Sequence, residues 1–285
     1  MKNILLLFFF FPSVLLAKID SIYDTSIQRF ISLNKLVKEH DKNSIFVLGE
    51  FHNISEIQSA QAQLIEKFVN YYQLQNDFSL FWEFLNFTDQ KNISKKFKML
   101  LENQITDSIF ITETAGSQNL TYLPLIKTIK AYRGDIHGIN LPREIKQKVI
   151  KEGIESVDST YISPYHYNGD EHYYERFLKV MGDHVPAHML FNYFEAQCLT
   201  DSTMAYQVSK NLKGENTRTA QFIVAGSFHT DFFGATVVRL QKLTAKKIIT
   251  FKFISKSHLS KEEVETIKNN DPNYGQYAHY IVITD

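Results

Sequence analysis

The stretch SIFVLGEFH, residues 44–52, decides the fold. Ile45, Phe46, Val47 and Leu48 form an unbroken apolar run, the pattern of a strand covered on both faces. The run ends on Gly49, Glu50 and His52. Residues 222–229, FIVAGSFH, repeat the plan: an apolar run, a glycine at Gly226, and His229 three residues on. Two separate strands each finish by presenting a histidine.

Working outward, apolar runs alternate with helical patterns. Residues 21–40 read as a helix and 45–50 as the first strand. Residues 55–73 read as a helix with Ser55 as N-cap. Its apolar stripe is Ile57, Leu64, Phe68 and Tyr72, and Gln61 falls inside it. A second strand, 78–84, carries Glu83 near its end. Residues 85–120 read as a helical insertion or lid. A helix at 123–133, a strand at 135–141 and a helix from Pro142 to Gly153 follow. Residues 156–188 are rich in Tyr and His without a clear period. A long helix occupies 187–212, and FIVAGSFH is then followed by a helix and two closing strands. The pattern predicts an α/β fold: a mostly parallel β-sheet core flanked by helices, with a helical insertion or lid subdomain. One domain is expected over residues 18–285, with insertions near 85–120 and 156–212. Ligands of such sheets bind beyond the carboxyl ends of the strands. If the strands are neighbours, Glu50, His52, Glu83 and His229 converge on one rim.

Lys+Arg and Asp+Glu both number 31 in 285 residues, so no basic excess points to nucleic acid. Hydrophobic residues make up 44%, enough for a full core, and the 23 Phe and 15 Tyr suit apolar pockets. Residues 1–17, MKNILLLFFFFPSVLLA, read as a secretory signal peptide cut after Ala17, which predicts a periplasmic or secreted product. Lys18 rather than cysteine follows the expected cut, so neither a lipoprotein nor a stable membrane anchor is expected. The single cysteine, Cys198, leaves no internal disulfide and no multi-cysteine metal site. On the apolar face of the 187–212 helix stand Gln197 and Asp201. A buried carboxylate without partners costs several kcal/mol, so Asp201 must meet donors, a cation or a wet pocket.

LGEFH, Gln61, FWEF, INLPREIKQKVIKEG, EAQCLTDSTMA and VAGSFHTDFFGATVVRL, in that order, resemble the ChaN-like haem-binding proteins of the wider Tiki, TraB and erythromycin esterase group. Gly49, Glu50 and His52 match the first family signature, Gln61 the helix glutamine, and Gln197, Asp201, Met204 and Ala205 the later helix. Gly226, His229 and Gly234 match the last signature. Thr236 stands where the family usually has proline. The resemblance implies a parallel-sheet core with a helical subdomain, and exported haem binding linked to iron uptake. It further implies haem held between two copies, with a tyrosine on the iron. On that reading Tyr165, His166, Tyr167, His172, Tyr173 and Tyr174 are the candidate haem ligands, and Arg176 or Lys179 would meet the propionates. The rival reading is a metal-dependent hydrolase of an ester or peptide bond, with Glu50, His52, Glu83 and His229 holding one divalent metal. A third reading makes these residues a buried hydrogen-bond network with Gln61 and Asp201.

Overall fold

In the computed structural model, residues 18–215 and 217–285 are described. The expected signal peptide lies outside the described residues. Strand β1 spans Ile19–Asp24, β2 Arg29–Ile31, β3 Ile45–Glu50, β4 Phe78–Asn86, β5 Asp135–Asn140, β6 Ala220–Gly226, β7 Ile248–Ser255 and β8 Tyr280–Thr284. They form one sheet in the order β2-β1-β8-β7-β3-β6-β4-β5. Neighbours from β8 to β5 pair parallel, and the β1–β2 hairpin is added antiparallel to β8.

Strand β3 is buried at every position. Its side chains alternate between two cores, Phe46 and Leu48 on one face, Ile45 and Val47 on the other. In β6 Phe222 and Val224 join the first face, Ile223 and Ala225 the second. A central parallel strand needs no polar face, which is why both runs read as continuously apolar.

The helices are α1 Leu33–Glu39, α2 Ser55–Tyr72, α3 Gln90–Leu101, α4 Asp107–Thr114, α5 Leu123–Ala131, α6 Arg143–Glu152, α7 Glu171–Met181, α8 Leu190–Leu212, α9 Ser227–Thr230, α10 Ala235–Gln241 and α11 Lys261–Lys268. Helices α1 to α5 pack on the first face, through Leu36, Phe68, Phe97, Phe110 and Ile126 among others. Met204, Ala205 and Val208 of α8 and Val237 and Leu240 of α10 cover the second. Each such fully buried Leu, Val or Phe contributes roughly 1.5–3 kcal/mol over leaving it exposed.

Three expectations need correction. Residues 21–40 are not one helix: β1, a turn and β2 precede the seven-residue α1. Asp24 makes the turn, its Oδ1 accepting from Ser26 N at 2.9 Å and Ser26 Oγ at 2.6 Å. Residues 156–188 are not aperiodic throughout, because Asp170 caps α7 by accepting from Tyr173 N at 2.8 Å. Residues 85–120 form helices as expected, but they are not a lid: Ile93, Phe97, Leu100, Phe110 and Ile111 belong to the main core.

Candidate functional site

Strand β6 lies between β3 and β4, and Glu50 pairs in register with Gly226. The ends of β3, β4 and β6 therefore bring Glu50, His52, Glu83 and His229 to one rim. His229 sits on α9, one turn past Gly226. Its Nδ1 donates to Asp201 Oδ1 at 2.7 Å, and its Nε2 is 3.3 Å from Glu83 Oε1. Glu83 Oε2 accepts from the Gly226 backbone N–H at 2.6 Å. On the other side His52 Nδ1 is 2.9 Å from Glu50 Oε1, and His52 Nε2 is 4.0 Å from Glu83 Oε1. Acids and imidazoles alternate along one line: Asp201, His229, Glu83, His52, Glu50.

Two glycines make this line possible by close approach. A Cβ on Gly226 would lie 2.7 Å from His52 Nε2 and 2.8 Å from its Cε1. A Cβ on Gly49 would lie 2.2 Å from Thr230 Oγ1, so glycine there lets α9 pack on β3.

The electrostatics follow from burial against charge. Burial opposes protonation of His229, but the carboxylates of Glu83 and Asp201 outweigh it and push its pKa up to about 10. Burial would raise Glu83, yet His229, His52 and the Gly226 N–H hold it down at about 2. For His52, burial is likewise outweighed by Glu50 and Glu83, and the pKa is raised.

Asp201 is fully buried and accepts three hydrogen bonds: from His229, from Tyr173 Oη at 2.6 Å and from Thr236 Oγ1 at 2.8 Å. The Gln197 amide nitrogen lies 3.0 Å from His229 Nδ1. Glu50 accepts from Tyr122 Oη and from Gln58 Nε2, the latter at 3.2 Å. Gln58 and Tyr122 escaped the sequence reading. Gln61 is buried as expected, but neither its amide oxygen nor its nitrogen bonds to protein, so it is not part of this line.

A cavity of about 680 Å3 opens over the rim. Glu50, His52, Gly226 and His229 form its floor, and Phe177, Phe228, Phe232, Tyr193, Tyr274 and Tyr277 contribute aromatic walls. Lys146, Arg176 and Lys179 add cations. The volume lies within the roughly 300–1,000 Å3 of small-molecule sites.

The family described as haem-binding uptake, Tiki superfamily, ChaN, matches residues 36–240. The chain belongs to this family. Its fold is that of the ChaN of Campylobacter jejuni, whose structure shows cofacial haem binding: TM-score 0.70, 18% identity, 95% of this chain and 99% of that one. Weaker likenesses are the type III effector HopBA1, at TM-score 0.45 and 12% identity over 88% of this chain and 92% of that one, and an erythromycin esterase mutant in its open conformation, at 0.40 and 12% over 78% and 72%. No curated protein matches the chain.

Membership sharpens the question of which residues face a haem. Of the six candidates in the Tyr/His segment, none lines the large cavity. Tyr165 is 55% exposed and packs on Tyr206. His166 Nδ1 is 3.1 Å from Ser202 Oγ, and burial, with Arg239 adding to it, lowers its pKa. Tyr167 lies under the Arg239 and Lys242 cations, and Tyr174 packs on Phe194. Tyr167, His172 and Tyr173 line a separate, smaller cavity. Burial, with Asp201 beside it, pushes the Tyr173 phenol well above its usual pKa, so it stays protonated. Among the described residues no group of three or more His, Cys, Asp or Glu is arranged to hold a metal ion, so a divalent metal at Glu50, His52, Glu83 and His229 finds no support.

Proposed function

We propose that the chain is an exported haem-binding protein supporting haem or iron acquisition, and that haem is the cargo of the large cavity. Family membership together with an apolar, aromatic-walled cavity of about 680 Å3 carries this reading. The residues fit the group. Phe177, Phe228 and Phe232 offer flat apolar surface, and Lys146, Arg176 and Lys179 are cations for propionates. His229 has a carboxylate on each ring nitrogen and is a poor iron ligand. The Tyr277 phenol is held protonated by burial and by Asp271 and Asp231. That leaves Tyr193 and Tyr274 as the cavity phenols we propose for iron; Tyr274 lies beneath the Lys179 ammonium, 4.7 Å from ring centre to nitrogen. Phe51 and Val180, 41% and 54% exposed, border the opening and favour a second copy facing the first over its haem. Hemin titration tests the reading: a saturable Soret shift is expected, with a shift of elution to a dimer on size exclusion.

One observation favours a second reading. Two histidines, each held by carboxylates, face a pocket, an arrangement suited to acid–base hydrolysis of an ester or peptide bond. His52, oriented by Glu50, would take a proton from water, and His229 would hold the Glu83 carboxylate beside it in place. Hydrolysis of an apolar ester, lost in His52→Ala and His229→Ala, would support this reading against the first.

A further inference from the structure

Beside the large cavity lies one of about 250 Å3, and Arg176, Phe232 and Tyr274 line both. Two guanidiniums border the smaller cavity, and both are buried: Arg239 on α10 is 3% exposed and Arg176 on α7 is 8% exposed. Neither makes a direct ion pair. Among the described residues the one arginine ion pair is Arg218–Asp135. Asp231 accepts from Arg176 only through its backbone carbonyl, at 3.2 Å, and its carboxylate is 2.6 Å from Lys252 Nζ. Asp170, also on the cavity wall, caps α7 through Oδ1 and makes no ion pair with either guanidinium.

What the guanidiniums do touch is neutral. Arg239 donates to Ser202 Oγ, the Ala235 carbonyl and the Tyr167 carbonyl, at 3.1, 2.8 and 3.0 Å. Arg176 adds only the Phe228 carbonyl, at 3.5 Å. The Tyr173 ring stands 5.7 Å from each guanidinium. A guanidinium has five N–H donors, so both keep donors spare. Stacking and carbonyl bonds hold the two planes in place without cancelling their charge. A buried cation with no carboxylate in direct contact is costly, and the cavity between the two guanidiniums has room for one. A volume below the roughly 300 Å3 of ordinary ligand pockets restricts the occupant to a small anion or the end of a chain.

We propose that this cavity is a carboxylate subsite shared by Arg176 and Arg239. A planar carboxylate matches the guanidinium fork. Two sources present that group: a propionate arm of haem seated next door, which rests on the haem reading above, or a free small carboxylate.

The test uses the full chain, as wild type and as Arg239→Gln, Arg176→Gln and Arg239→Lys, with folding checked by circular dichroism. Each is titrated with hemin and with hemin dimethyl ester, and each is melted with and without malonate. For a propionate, both glutamine variants lose affinity for hemin by about tenfold or more and keep their affinity for the ester, while Arg239→Lys recovers part of the loss. For a free carboxylate, malonate raises the melting temperature of wild type and not of the glutamine variants. Equal losses for hemin and ester, with no malonate effect on wild type, would overturn the subsite and make the arginines structural. Should wild type bind no hemin, the haem reading fails by itself and the malonate arm still decides the subsite.

Discussion

At the scale of single residues, the line from Asp201 to Glu50 depends on groups that cannot be exchanged one at a time. Asp201→Ala would strand the Tyr173 and Thr236 hydroxyls and the protonated His229 in a buried place, and should cost about 3–5 kcal/mol in chemical denaturation. A loss below about 1 kcal/mol would mean that the three donors have other partners. Gly226→Ala places a methyl where the His52 ring stands. The ring should swing away from Glu50 and Glu83, and its NMR titration should fall back toward an ordinary histidine value. An unmoved titration would show that the close approach is not what holds the ring. The histidines and glutamates of this line were legible because they end apolar strands. Tyr122 was not, since it reaches Glu50 from 72 positions away. Gln58 and Gln61 are three apart on α2 and both lie on its buried side, so only the exit angle of α2 from β3 decides which one meets Glu50. Thr236, legible only as a departure from the family pattern, turns out to be the third donor to Asp201.

At the scale of elements, α7 matters most. It is tied to α8 by the Tyr173–Asp201 bond, and it contributes Phe177, Arg176 and Lys179 to the large cavity. Tyr173→Phe should loosen this tie by about 1–3 kcal/mol and leave the spectrum of bound hemin unchanged, because the phenol serves Asp201. An altered charge-transfer band in that variant would return the iron ligand to the Tyr/His segment. The helix was hidden in the sequence because Arg176, buried between Tyr173 and Phe177, breaks the apolar stripe, while Val180 on the same helix is exposed. β1 was hidden for another reason. Its pairing partner β8 lies near the other end of the chain, Ile22 facing Val282, and local propensity says little about a strand fixed by so distant a neighbour. The parallel core, by contrast, is written in β3 and β6 themselves, whose runs are apolar on both faces.

At the scale of the whole molecule, acid should destabilise the fold before its carboxylates titrate. His40 is buried against Tyr280 Oη at 2.9 Å, and burial, helped by Lys247 and His279, lowers its pKa from 6.5 to about 4. The unfolded chain takes up that proton at pH 6.5 and the folded chain only near pH 4. The contribution is therefore full above pH 6.5 and lost as pH falls toward 4. His279 is depressed for the same leading reason and acts in the same direction. Urea midpoints should fall across this window, and less steeply in His40→Phe; a flat profile in wild type would contradict the assignment. We propose that the cavity over the paired histidines holds haem. Hemin titration of wild type beside a Tyr193→Phe, Tyr274→Phe double variant tests it most directly. A saturable Soret shift with a tyrosinate charge-transfer band is expected in wild type, and loss of that band in the double variant. Hemin binding no tighter than to an unrelated aromatic-rich protein would contradict it.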